Sequence, residues 1–227
     1  MKIEIVSDIS CPWCFVAKAR LRRALAEVSH PDAITVEYLP FQLNPAMPTT
    51  PQPLLEYWLA RGGPRFRDDH VRVADIAAAE GLTMRLDKAL AVNTFDGHRL
   101  IRPAGHDGGP AAQAAVDGAL ERAYFTDGGN IADPHTLTAI AVQAGLDGDR
   151  VAAALATDLG AAEVQAAIAR TRHAGIRAVP TLLVDDHYAL VGARTAGDYA
   201  ALFAQASLEP TPRAPGAACH LDGGCTD

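Results

Sequence analysis

Polar and apolar residues alternate over "KIEIV" (2–6), with β-branched side chains at the apolar positions, which predicts a strand. The period then changes. Pro12 suits a first helical position, where a missing N–H costs nothing, and after it Phe15, Val16, Ala19, Leu21, Leu25 and Val28 recur at helical spacing up to Ser29. "AITVEYLPF" (33–41) predicts a second strand, ended by Pro40. The chain therefore opens strand–helix–strand.

A proline-rich loop, "QLNPAMPTTPQP", leads into a long stretch with helical periods. Leu54, Tyr57 and Trp58 mark a short helix; Phe66, Val71, Val73 and Ile76 mark another, closed by Gly81. "GGPAAQAAVDGALERAYF" (108–125) sets Ala115, Val116, Ala119, Leu120, Ala123 and Tyr124 on one stripe. In "ADPHTLTAIAVQAGL", Asp133 is the expected N-cap, Pro134 the first helical residue and Gly145 the stop. Val151 and Leu155 predict a further short helix, and Val164, Ile168 and Thr171 one that ends at Gly175. Strands return at Thr181–Val184 and Tyr188–Val191, two apolar runs joined by an Asp185-Asp186-His187 turn, and a last helix starts near Thr195. The Pro- and Gly-rich remainder reads as a tail.

Removing the helical block from this order leaves β–α–β followed by β–β–α. The expected fold is thus α/β, a thioredoxin fold with an inserted all-helical domain. The expected division is 1–48 and 175–208 for the two parts of that fold, 49–174 for the insertion, and 209–227 for the tail.

Composition narrows the function. A chain of 227 residues with half its positions apolar can build a sizeable core, and a net charge of −7 argues against nucleic-acid binding. The basic group Lys18, Arg20, Arg22 and Arg23 alternates with apolar residues and reads as a solvated helix face. No secretory signal and no run of membrane-spanning length is visible, so a cytoplasmic location is expected, without membrane partners. Structural disulfides are uncommon in such a reducing compartment. The cysteines nevertheless come as two close pairs, Cys11/Cys14 and Cys219/Cys225, which points to redox chemistry or metal.

The first pair, "CPWC", falls at the strand-to-helix junction. There the unpaired N–H groups of the helix favour negative charge, so Cys11 is expected as the attacking thiolate and Cys14, one turn inside, as the buried resolving thiol. A zinc half-site is the weaker alternative, and no metal is expected. Val179–Pro180 stands directly before a strand; a cis bond there would present the Val179 backbone to a substrate peptide, whereas a trans-proline at a strand start is the ordinary alternative. Asp8 ends the first strand and serves either as a turn cap or as a proton acceptor for Cys14, the cap being favoured.

The segments "DISCPWC", "FQLNP", "NTFDGHRL" (93–100), "YFTDGGNIAD", "GIRAVPTLLVD" and "GAACHLDGGC" together resemble the DsbA-like thioredoxin superfamily, in its cytosolic FrnE-like branch. This resemblance spans the chain. It implies a thiol-disulfide oxidoreductase or isomerase with Cys11, Cys14 and Pro180 as its redox residues, and protein or small-molecule disulfides and thiols as partners. No resident cofactor is implied; glutathione is a candidate reductant. Trp13, Val179, Asn93 and His98 are substrate-binding candidates, with Arg99 beside them, although Asn93 also reads as a helix cap and His98 as a satisfied core histidine. Cys219 and Cys225 are a candidate second redox pair and electron relay, with His220 alongside. DsbA itself carries His between its cysteines; Trp13 cannot donate charge in the same way, so a weaker oxidant is expected. The rival function is a glutathione-dependent isomerase of the 2-hydroxychromene-2-carboxylate type, a group with Ser where Cys11 stands.

Overall fold

In the computed structural model, which describes residues 1–62 and 65–208, strand β1 (Lys2–Ser7) runs into the loop that carries Cys11 and then into helix α1 (Pro12–Ala26). Pro12 is the first helical residue, and Cys11 occupies the N-cap in an extended conformation. Strand β2 (Thr35–Pro40) returns parallel to β1. Next come a two-residue strand β3 (Gln52–Pro53), helices α2 (Leu54–Gly62) and α3 (Arg65–Ala79), and β4 (Leu90–Ala91), which pairs with β3. Helices α4 (Phe95–Arg122), α5 (Pro134–Gln143), α6 (Gly148–Leu155) and α7 (Ala161–His173) follow. The hairpin β5 (Thr181–Val184) and β6 (Tyr188–Val191) and helix α8 (Ala196–Leu208) complete the described chain. The main sheet has the order β2-β1-β5-β6, with β5 antiparallel to both neighbours. It is an α/β thioredoxin fold with added helices.

Local chemistry accounts for the element ends. The Asp133 carboxylate accepts from Thr136 N–H at 2.9 Å, capping α5 as its sequence implies. A capping box opens α8: Thr195 Oγ1 accepts from Asp198 N–H at 3.1 Å, and Asp198 Oδ2 accepts from Thr195 N–H at 3.0 Å. Asp185 and Asp186 both take positive φ in the β5–β6 turn, a conformation that acidic and amide side chains tolerate better than most.

Helix α4 departs from expectation. It begins at Phe95, well before the predicted stripe, and Pro103 lies inside it. Only at Gly109, with φ 73 and ψ −172, does the backbone leave the helical region. The buried face is also displaced from the predicted stripe: Ala115 is exposed, while the polar Gln113, Asp117 and Glu121 are buried beside Val116 and Leu120. Gln113 is put to use there. Its amide accepts from Tyr38 N–H at 2.9 Å and donates to Tyr38 O at 3.2 Å, so a side chain completes the ladder on the open edge of β2.

The largest core cluster joins Ile3, Ile5, Leu182 and Val184 of the sheet to Leu100, Leu120, Leu137 and Ile140 of the helical segment and to Tyr199 of α8. Phe15 of α1 stacks on Phe125 just past α4, with ring centroids 5.1 Å apart.

Candidate active site

Four pieces of chain meet at the C-terminal end of β1. Cys11 donates its N–H to Asp8 O at 3.1 Å, and its own carbonyl accepts from Cys14 N–H at 3.0 Å and Phe15 N–H at 3.2 Å. This winds the first turn of α1 directly onto the cysteine loop. Both cysteines are free thiols; Cys11 is 3% exposed and Cys14 is fully covered. The Val179–Pro180 peptide is cis, and Val179 O lies 3.8 Å from Cys11 Sγ. Cys11 thus sits between a helix N-terminus and the cis-proline loop that precedes β5.

Burial pushes the Cys14 thiol well above its ordinary range; the hydrogen bond and charge of Cys11 push the same way, and Lys18 and the Asp8 N–H oppose them. An uncharged inner thiol behind an outer thiol on a helix N-terminus is an arrangement able to exchange disulfides in sequence.

Asp8 does more than cap a turn. Its carboxylate is 1% exposed, accepts from Leu43 N–H at 2.8 Å and from Ser10 N–H at 3.5 Å, and lies 3.6 Å from His98 Nε2. Burial alone would raise this carboxyl, but the His98 ring, the Leu43 N–H and Thr94 together hold it below its ordinary value. His98 is 3% exposed and also meets Phe41 O at 3.0 Å, so the fold takes it to Asp8, inside the protein, rather than to an open surface. Arg99 is tied down as well, donating to Ala154, Thr157 and Leu159 carbonyls and to Asp96.

Asn93 stands apart from that group. Its Oδ1 accepts from Gln42 Nε2 and Phe95 N–H, both at 2.9 Å, and it lines a cavity of about 670 Å³ with Gln42, Phe95, Gln165, Arg172 and His173. Half-buried Trp13 packs with Val16, Val73 and Ala77, where α3 covers α1. Cys219, His220 and Cys225 lie outside the described residues.

Lys18 contradicts the solvated-face reading. Its side chain is wholly buried, with Nζ 2.7 Å from both oxygens of Asp117 and 3.0 Å from Glu121 Oε1. The reason is its position: on α1, residue 18 falls on the same stripe as Cys14 and Leu21, and α4 supplies the two carboxyls that make burial tolerable. Neither Glu121 oxygen has a directed hydrogen bond. Burial, helped by the Asp117 charge and opposed by Lys18, pushes its carboxyl up to about 7.

Comparison with known proteins agrees with this geometry. A probable DsbA oxidoreductase from Streptomyces coelicolor is 34% identical, with a TM-score of 0.87 over 100% of this chain and 99% of that one. At 21% identity a cytosolic disulfide reductase from Pseudomonas aeruginosa shares the fold, with a TM-score of 0.61 over 93% of this chain and 100% of its own. A 2-hydroxychromene-2-carboxylate isomerase does so at 15% identity, with a TM-score of 0.64 over 92% of this chain and 95% of its own. The Bacillus subtilis protein YwbO, itself uncharacterised, is 26% identical over 191 residues, 81% of this chain and 86% of that protein. The family model of the DSBA-like thioredoxin domain matches residues 2–203, and the chain belongs to that family of disulfide oxidoreductases and isomerases.

Proposed function

We propose that the protein exchanges disulfides with protein or small-molecule thiols through Cys11 and Cys14. The observation that carries this reading is the placement of Cys11: at the N-cap of α1, 3.8 Å from Val179 O, with Cys14 buried one turn behind it. In the reducing direction the Cys11 thiolate attacks one sulfur of the substrate disulfide, and the other sulfur leaves with the bonding pair and takes a proton. Cys14 gives up its proton and attacks Cys11 in the mixed disulfide. The substrate's second sulfur is freed, and the protein keeps a Cys11–Cys14 disulfide. Two electrons and two protons pass to the substrate; the oxidising direction is the reverse. In this reading the carbonyl of Val179 accepts from the backbone of an extended substrate, and Trp13 and Pro180 serve as further substrate contacts.

The finer parts of this reading are a cytoplasmic FrnE-like role, glutathione as reductant, and electron passage through Cys219 and Cys225. Glutathione accompanies the Pseudomonas reductase in one of its structures, which supports a small thiol as partner. An isomerase role would leave Cys14 without work. Insulin reduction tests the assignment. Cys11→Ser should abolish turnover, and Cys14→Ser should accumulate mixed disulfides on Cys11. Complexes trapped only on Cys14, in a Cys11→Ser protein, would overturn it.

A further inference from the structure

Helix α7 ends in the basic residues Arg170, Arg172 and His173. Cations in a last turn ordinarily serve the negative end of their own helix. Arg172 is used differently. The carbonyls of Arg170, Thr171 and Arg172 are already taken by the N–H groups of Ala174, Ile176 and Gly175. The Arg172 guanidinium instead donates to Gln42 O at 3.0 Å and lies 5.4 Å from the centre of the Phe41 ring, on the segment after β2. No carboxylate among the described residues pairs with it. Its charge therefore stands uncompensated at the wall of the cavity of about 670 Å³.

That wall is built. Gln42 is 7% exposed, its Nε2 donates to Asn93 Oδ1 at 2.9 Å, and Asn93 Nδ2 donates to Pro45 O at 2.9 Å. Phe95 and Ile168 add apolar surface, and the acidic residue of the lining, Asp96, is held by Arg99 at 2.8 Å. Two stretches of chain lead from the cavity to the cysteines. Gln42 stands between Phe41, whose N–H donates to Ser7 O at 3.0 Å, and Leu43, whose N–H donates to the Asp8 carboxylate at 2.8 Å. Asp8 O in turn accepts the Cys11 N–H at 3.1 Å. On the other side α7 continues through residues 174–178 to Val179, whose carbonyl is 3.8 Å from Cys11 Sγ. We propose that this cavity receives a carboxylate of a small thiol or disulfide reacting at Cys11, and that Arg172 is the residue that selects it. A concave site of this volume suits a small molecule. The proposal rests on the exchange reading above and names the class of partner, small thiols that carry a carboxylate.

Glutathione, with two carboxylates, is the probe. Its thiolate attacks Cys11 Sγ of the oxidised protein, the Cys11–Cys14 bond breaks, and the electron pair leaves on Cys14, which takes a proton. A second glutathione thiolate attacks the glutathione sulfur of the mixed disulfide, and Cys11 leaves with its pair and is protonated. Two glutathiones become one glutathione disulfide, and two electrons and two protons reach the protein. Arg172 takes no part in the sulfur chemistry; its planar fork holds the carboxylate while the thiol reaches Cys11.

The test oxidises the full chain with diamide and follows its reduction by glutathione and, in parallel, by glutathione diethyl ester, whose carboxylates are masked. The readout is the ratio of the two rate constants. Arg172→Gln should lower that ratio about fivefold, the upper end for a partly exposed ion pair. Arg172→Lys, which keeps the charge without the fork, should fall between. Gln165→Glu adds a carboxylate to the cavity lining and should lower the ratio in the same direction, which keeps the idea testable if the Arg172 variants do not fold. A ratio changed by less than about twofold in both Arg172→Gln and Gln165→Glu overturns the proposal. So does an equal slowing with both probes and a lowered Tm, which would make Arg172 a packing residue for Gln42. An unchanged ratio with reduced insulin turnover would give the charge to a polypeptide partner, and that too overturns it. S-methylglutathione, which cannot exchange, separates this proposal from the reading it rests on. It should shift the NMR signals of Asn93 and Gln165 in the natural protein and not in Arg172→Gln. Absent insulin turnover with those shifts intact would sink the exchange reading and leave the carboxylate site standing.

Discussion

Lys18, Asp117 and Glu121 set three ionisable groups in the interior with one positive and two acidic members. Burial, helped by the Asp117 charge and opposed by Lys18, raises the Glu121 carboxyl from an ordinary 4.5 to about 7, and protonating it leaves the set neutral. A carboxyl raised on folding stabilises the fold below its unfolded value, and that stability is lost as pH rises through the folded one. The protein should therefore lose stability between about pH 4.5 and 7 from this group, on the order of 3 kcal/mol at most. Glu121→Gln should flatten that slope and be more stable than the natural protein at pH 8. Urea melts at pH 5 and 8 check it; an unchanged slope would mean that Glu121 is ionised throughout. In the sequence Lys18 reads as part of a solvated face; that it interrupts an otherwise apolar stripe, and that Asp117 and Glu121 share a helix face, are signals such a reading leaves unused. The partners of Lys18 were not legible, because a sequence does not say that α4 crosses α1 there.

At the scale of elements, the sequence signals that worked are those with a local cause. Pro12, the Asp133-Pro134 start and the Asp185-Asp186 turn each determine backbone within a few residues, and each element stands where it is expected. Helix α4 shows the opposite. Pro103 removes a backbone donor inside α4, yet the packing of Leu100, Ile101 and Ala104 into the core carries helix through it, and the backbone leaves the helical region only at Gly109. The motif "NTFDGHRL" proved informative for a reason that its residue types only half disclose: Gly97 is a close approach and His98 an internal contact. Gly97→Ala must push Ile9, a fully buried side chain, off its place. Overpacking of this kind should cost about 1–3 kcal/mol. The expected outcome is a lower Tm together with altered reactivity of the neighbouring cysteines; a Tm equal to that of the natural protein would show that the loop yields freely.

The whole molecule is held unevenly. The sheet, α1, α4, α5 and α8 share one large cluster, whereas α2 is anchored by a small one of Met47, Leu54, Tyr57, Ala89 and Ala91. Leu54 N–H at the start of α2 also donates to Ala89 O at 2.9 Å, just before β4. Regions with few buried apolar contacts open at lower free energy than the core. The order β–α–β and β–β–α could be read from hydrophobic periods alone, because a sheet and the helices on it impose them; this difference in anchorage could not, because it depends on which apolar faces meet. Amide hydrogen exchange should show α2 opening well below the free energy of global unfolding, while β1 and α1 exchange only through it. Tyr57→Ala, which empties the middle of the small cluster, should lower protection in α2 and β4 yet leave that of β1 nearly unchanged. Equal protection in α2 and β1 would instead mean that the helical segment and the sheet unfold as one unit, with the small cluster as firmly held as the large one.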